Sequence, residues 1–233
     1  VDEEIEESPI LFGIELVYIT VRDVMFKLMS IIRNVARRIL PPFRPRRLRA
    51  LLLTSLKSSI SHAGNLTVFG AIRVKIAPGS SINLGKNVIL NSLWKRNTLD
   101  SHSALTIRTL SECAVISIGD DTGISSSTIS AQKSILIGSR VLIGSGCLIT
   151  DTDHHIVDIA PKDRRYSGLP GLEKAKEVVI EDDVFIGART IILKGSKIGA
   201  GSVIGAGSVV AGNIPKNSIA AGNPCRVIRQ LYL

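Results

Sequence analysis

Residues 180–210 read Ile180-Glu181-Asp182-Asp183-Val184-Phe185, Ile186-Gly187-Ala188-Arg189-Thr190-Ile191, Ile192-Leu193-Lys194-Gly195-Ser196-Lys197, Ile198-Gly199-Ala200-Gly201-Ser202-Val203, Ile204-Gly205-Ala206-Gly207-Ser208-Val209 and Val210. An aliphatic residue opens every hexad, at Ile180, Ile186, Ile192, Ile198, Ile204 and Val210. Four positions later stands a small or β-branched residue: Val184, Thr190, Ser196, Ser202, Ser208 and then Ile214. Glycine follows the aliphatic at Gly187, Gly199 and Gly205. A short fixed period held over this many units specifies a solenoid, here a hexapeptide β-helix. Each hexad supplies one flat strand and one turn, and three hexads close a triangular coil. The aliphatic points inward, the small residue fills the corner, and neighbouring coils bury what one coil cannot. Ordinary buried parallel strands with glycine turns would not stay in register so long.

The same phase extends upstream. Ile137-Gly138, Ile143-Gly144 and Ile149 are six apart, with Val141 and Cys147 at the small position. Ile118-Gly119 and Ile124 follow the rule with Thr122 and Thr128, and Leu84-Gly85 with Val88 reads as another unit. Between Ile124 and Ile137 the count slips by one residue, which predicts a bulge or a lengthened corner. The β-helix is therefore expected over 61–222, with irregular insertions near 91–113 and an unpatterned loop extruded at about 151–177. A long excursion from a rigid scaffold is a place to look for function.

Composition agrees. Of 233 residues, 45% are hydrophobic and only 4% aromatic, so the core is aliphatic, as flat stacked strands require. Cys113, Cys147 and Cys225 form neither an even framework nor a CxxC pair, which reads as a reduced, cytoplasmic chain.

Residues 1–60 differ in kind. An acidic start (Asp2, Glu3, Glu4, Glu6, Glu7) precedes a helical pattern from Ile10 to Leu40, interrupted by Glu15, Arg22, Asp23, Lys27 and Arg33. No uncharged run is long enough for a membrane span, and acidic residues before the apolar run do not suit a signal peptide. Arg37, Arg38, Arg44, Arg46, Arg47 and Arg49 then surround Pro41, Pro42 and Pro45, before a second amphipathic segment from Leu48 to Ile60. These helices suit peripheral contact with an anionic membrane surface, a cap on the first coil, or both. The arginines lack aromatic interleaving and a recognition motif, so no nucleic-acid partner is expected.

Chemistry concentrates at Asp151-Thr152-Asp153-His154-His155-Ile156-Val157-Asp158, where a coil ends and the loop begins. Histidine is the natural general base near neutral pH, and a nearby carboxylate can hold its tautomer. The spacing alone does not say which histidine acts. Neighbours on an extended strand point opposite ways, so His154 and His155 would not chelate one ion, and no metal is expected. No Walker, GxSxG or dinucleotide motif is present.

Over roughly residues 115–231 the chain resembles the hexapeptide-repeat acyltransferases, and within them the maltose and galactoside O-acetyltransferase group and its polysaccharide-modifying relatives. The resemblance rests on the hexads, Asp151–His155, Arg165-Tyr166-Ser167-Gly168-Leu169, Val184-Phe185-Ile186-Gly187 and Ala221-Gly222-Asn223-Pro224-Cys225-Arg226-Val227-Ile228-Arg229. It implies a left-handed parallel β-helix ending in a short C-terminal helix over 223–233. It implies a homotrimer in which acetyl-CoA and acceptor meet between subunits. It makes His155 the general base that deprotonates an acceptor hydroxyl, with Asp153 orienting it and a backbone N–H near Ala188 stabilising the oxyanion. Ala188, Gly205, Ala206, Arg226 and Arg229 fall where coenzyme A binds, and His154, Arg165 and Ser126 at acceptor positions. Two departures from the sugar enzymes stand out: Ala211-Gly212 replaces Thr-Lys, and Ser126 and Gln132 replace acceptor-binding Asn and Asp. Together with the basic front end, they point to O-acetylation of a surface polysaccharide or O-antigen sugar, including a lipid-linked glycan, at the cytoplasm or the inner face of the cell membrane. N-acylation of an amino sugar or nucleotide-sugar, and a non-catalytic scaffold, are the alternatives.

Overall fold

The computed structural model describes residues 60–97, 99 and 103–232. The expected N-terminal helices lie outside these residues. What is described is a left-handed parallel β-helix. Its first coil is Ser61–His62, Leu66–Phe69 and Ile72–Lys75, and its second is Ser81–Leu84, Val88–Asn91 and Leu105–Thr109. The third coil is Val115–Ile118, Gly123–Ser125 and Thr128–Ala131, and the fourth is Ser134–Ile137, Leu142–Ile143 and Leu148–Thr150. The fifth is Val178–Ile180, Phe185–Ile186 and Ile191–Ile192, and the sixth is Lys197–Ile198, Val203–Ile204 and Val209–Val210. Asn213–Ile214 and Ser218–Ala221 begin a seventh. The first, second and third strands of successive coils stack into three sheets, A, B and C.

The core is a set of aliphatic ladders. In sheet A, Leu84, Ile118, Ile137, Ile180, Ile198 and Ile214 stack in register. In sheet B the ladder is Leu90, Ile124, Ile143, Ile186, Ile204 and Ala220, and in sheet C it is Ile107, Ile129, Ile149, Ile192 and Val210. All are buried, each isoleucine contributing about 1.5–3 kcal/mol. The small corner residues hold coils together as well as fill space. Ser202 Oγ donates to Pro215 O (2.8 Å) and accepts from Ser218 N (3.1 Å) in the next coil. Thr122 Oγ1 likewise donates to Gly138 O (2.9 Å) and accepts from Val141 N (3.2 Å).

The structure resolves the slip in the third coil. The B–C corner is one residue short, so Ser127 rather than Thr128 takes the buried small position and donates to Gly144 O (2.9 Å). The following C–A corner at Gln132-Lys133 is lengthened to compensate. The insertion expected near 91–113 is narrower: Val88–Asn91 and Leu105–Thr109 are regular strands that bound it on either side. Two further expectations are corrected. Ile214 is the inward aliphatic paired with Ile198, because the corner at Ala211-Gly212 is two residues short. The C-terminal segment is a strand, Arg226–Gln230, antiparallel to Ser218–Ala221. Its β-branched Val227-Ile228 pair suits a strand, and pairing satisfies the open edge of sheet B.

Candidate functional site

The loop from Asp151 to Glu177 leaves sheet C at Thr150 and rejoins sheet A at Val178. Its root answers the lengthened corner. The extra length at Gln132-Lys133 leaves successive backbone N–H groups without a strand partner. The fully buried Asp151 carboxylate takes them: Gln132 N on Oδ1 (2.7 Å), and Lys133 N (2.6 Å) and Ser134 N (2.7 Å) on Oδ2. Charge-assisted bonds of this kind are the strong ones. Gln132, expected near an acceptor position, is buried and ties the loop down. Its Nε2 donates to Pro170 O (2.5 Å) and its Oε1 accepts from Thr152 Oγ1 (2.5 Å). Lys176 N donates to Asp151 O (3.0 Å), closing the loop at its base.

This root presents the histidines differently. His154 has a left-handed backbone (φ 64°) and turns inward, where its Nε2 shares a hydrogen bond with Thr150 Oγ1 (3.1 Å). Burial, and then the positive charge of Arg108, push the His154 pKa down. His155 is exposed and makes no hydrogen bond among the described residues. The left-handed residue between Asp153 and His155 breaks the alternation that would align them. Asp153 makes no hydrogen bond to His155 among the described residues; its carboxylate pairs with Lys194 Nζ, which also reaches Lys174 O (3.4 Å). Lys194 was silent in the sequence, since its hexad position reads as ordinary solvated charge. Arg165 belongs to the turn Pro161–Tyr166, and its side chain lies outside the description.

A second feature runs along the B–C corner. Ala188 follows Gly187 and Ala206 follows Gly205, and Ala221 stands level with these two glycines, which admit no side chain. A Cβ on Gly187 would lie 2.5 Å from Ala206 N, and one on Gly205 would lie 2.7 Å from Ala221 Cβ. The Ala188 carbonyl accepts from Gly207 N (2.9 Å), but the N–H groups of Ala188 and Ala206 have no partner among the described residues. Arg226 pairs with Ala221 at the end of this corner, its Nη1 donating to Cys225 O (2.9 Å), while Arg229 sits opposite Ile219 on sheet B. Both arginines are exposed. Ser126 lies on the same corner but is buried, with its N–H on Asn91 O (2.9 Å) and its carbonyl on Gly146 N (3.0 Å). The shortened corner has drawn it into the scaffold, so in the single chain it is not an accessible acceptor contact.

The structure thus brings Ala188, Gly205, Ala206 and Arg226 together on one edge and His154, His155 and Asp153 on another. Thr150 is level with Leu193, five residues beyond Ala188, so roughly 15 Å of sheet C separates the two edges. Among the described residues of one chain the two edges do not meet. Burial raises the pKa of Cys147 and Cys225, keeping both as inert thiols. Among the described residues no three His, Cys, Asp or Glu side chains gather as a metal-holding group. Nor is any helix among them long and apolar enough to cross a membrane.

Comparison with known proteins fits this geometry. Residues 177–212 match the family described as bacterial transferase hexapeptide (six repeats). The galactoside O-acetyltransferase of Lactococcus lactis is 37% identical over 104 residues, covering 45% of this chain and 47% of that protein. The chain spans about half the length, or less, of the curated relatives it matches. Among solved structures, the polysialic acid O-acetyltransferase OatWY superposes with a TM-score of 0.51 at 18% identity, covering 75% of this chain and 90% of that one. AntD, an N-acyltransferase from Bacillus cereus solved with dTDP and coenzyme A, gives 0.58 at 18% identity, covering 77% and 89%. The chain carries hexapeptide repeats on a β-helix, and over residues 177–212 it is similar to the bacterial hexapeptide transferases. Over about 100 residues it is similar to the galactoside O-acetyltransferases.

Proposed function

We propose that the protein transfers an acetyl group from acetyl-CoA to a sugar hydroxyl, in the modification of a surface polysaccharide or of a lipid-linked glycan precursor. The observation that carries this reading is the B–C corner, where two open amides, at Ala188 and Ala206, lead to the cation of Arg226. Small side chains and unpaired N–H groups suit the amide-bearing pantetheine arm, and arginines suit its phosphates. Arg229 serves the same end. His155 stands exposed on a firmly rooted loop, as a base that must reach a bound hydroxyl requires. It takes the hydroxyl proton as the oxygen attacks the thioester carbonyl. The Ala188 N–H holds the charge on the carbonyl oxygen. The C–S bond breaks, and the proton on His155 passes to the departing thiolate. Asp153 serves through Lys194, fixing the His155 segment rather than touching the ring.

The two edges of the site belong to different copies of the chain in this reading, within a homotrimer. Ile89, Gly123, Leu142, Phe185, Val203 and Ile219 form one outward ladder across sheet B. Ile89, Leu142 and Phe185 are 44%, 56% and 47% exposed, a continuous apolar surface that suits burial against a neighbouring copy. A copy seated there walls the B–C corner and delivers its own histidine loop.

The test is acceptor-dependent release of CoA from acetyl-CoA, wild type against His155→Ala, over a panel of neutral sugars, amino sugars and lipid-linked oligosaccharides. The expected result is turnover with hydroxyl acceptors, lost in His155→Ala while acetyl-CoA binding persists. Turnover confined to amino sugars would make the protein an N-acyltransferase. Neither turnover nor acetyl-CoA binding by the folded oligomer would leave a scaffold.

A further inference from the structure

The outward face of sheet C upstream of the histidines is a track of cations and hydroxyls. Arg73, Thr106 and Thr128 stand in one register, and Lys75, Arg108, Ser130 and Thr150 in the next. Strand spacing puts Arg108 about 10 Å and Lys75 about 15 Å from Thr150, on which His154 rests. Arg108 is partly buried and aimed along this face, its Nε donating to Ser130 Oγ (3.0 Å). Its terminal guanidinium nitrogens have no partner among the described residues, and neither is a buried unsatisfied atom, so both remain open to a ligand. No carboxylate lies within ion-pair distance of Arg73, Lys75 or Arg108 among the described residues. The loop carboxylates beside the track are already engaged: Asp151 by three backbone amides, Asp153 by Lys194 and Asp158 by Lys174. Ser130 and Thr150 are buried beneath the track, so what it presents is the cations, with Arg108 held by Ser130 and Arg73 and Lys75 exposed beside it. Cations without counter-charges on one face form a complementary surface for an anionic carbohydrate.

We propose that sheet C binds an acceptor glycan that carries a carboxylate or phosphate on a sugar unit adjacent to the one that reacts, with Arg108, Lys75 and Arg73 holding the anion. This rests on the acyl-transfer reading and names the chemistry of its acceptor. Neutral galactosides and maltosides lack the group these cations address.

The experiment compares an oligogalacturonate with its methyl ester, which shares the skeleton without the charge, as acceptors for the full chain. A phosphodiester-linked oligosaccharide and its neutral counterpart form the second arm and separate phosphate from carboxylate. In at least one arm the charged acceptor has the higher kcat/KM, and its KM rises with added salt. Arg73→Gln with Lys75→Gln lowers the charged-to-neutral ratio about tenfold, as does Arg108→Gln, while Arg108→Lys keeps part of the preference. Lys86→Gln, an exposed cation on the A–B corner, leaves the ratio at its wild-type value. Calorimetric titration of the same probes without acetyl-CoA separates the two ideas. Charge-dependent binding without turnover would overturn acyl transfer and retain the anion site. Equal kcat/KM and equal or absent binding for charged and neutral forms in both arms, or a ratio unmoved by the variants, would overturn the anion site.

Discussion

Asp151→Asn should be one of the most damaging isosteric changes in the protein. The carboxylate is fully buried and accepts three backbone N–H bonds at 2.6–2.7 Å. Asparagine keeps one oxygen and turns an NH2 toward the amide or amides the other oxygen served. The best placement leaves the carbonyl on Lys133 and Ser134 and sets the new donor against Gln132 N. One charge-assisted bond is lost, worth about 1.5–3 kcal/mol, and a buried donor faces another donor. A total near 3 kcal/mol follows, which for a chain of this size lowers Tm by about 6–12 °C. Differential scanning calorimetry at fixed protomer concentration and scan rate reads it. Asp153→Asn is the comparison, because its partly exposed pair with Lys194 contributes at most about 1 kcal/mol. A drop of under about 2 °C in Asp151→Asn, or equal drops in both variants, would show that the lengthened corner does not depend on this carboxylate.

Gly187→Ala would place a Cβ 2.5 Å from Ala206 N, so coils five and six must part at the B–C corner. Overpacking of this kind costs about 1–3 kcal/mol or more and should weaken acetyl-CoA binding, read by calorimetric titration; unchanged affinity would separate the corner from the coenzyme. Burial and Arg108 lower the His154 pKa, so from about pH 6.5 downward the unfolded chain takes up a proton before the folded one does, and stability falls with pH. His154→Gln should flatten that acid-side fall in a Tm–pH series, and parallel curves for the two proteins would contradict it. Phe185→Asp places a charge in the middle of the exposed sheet B ladder. Sedimentation velocity should then show dissociation, and an unchanged assembly would move the interface to another face.

The hexads made the fold legible because an inward aliphatic and a corner hydroxyl impose a period that nothing else in the chain obscures. Even the slip between Ile124 and Ile137 announced a lengthened corner. What answers that corner was hidden: Asp151 lies 17–19 residues past the amides it binds, and no local pattern links them. Ile214 was misplaced because Ala211-Gly212 shortens a corner just as the repeat ends. Arg226–Gln230 is too short for its period to separate strand from helix, and the open edge of sheet B decided it. The Arg108–Ser130–Thr150 register could not be read either, since it depends on how the slip is divided between two corners.

The central claim is that one copy's His155 works with the next copy's Ala188 corner. Two variants test it directly: His155→Ala, and Ala188→Phe, which fills the corner. Each homotrimer is expected to be inactive in acceptor-dependent CoA release. Co-expressed with different tags and purified through both, mixed trimers should regain a fraction of wild-type turnover, because some interfaces then pair an intact histidine with an intact corner. Mixed trimers as inactive as their parents, beside active wild type, would place both halves of the site on one chain.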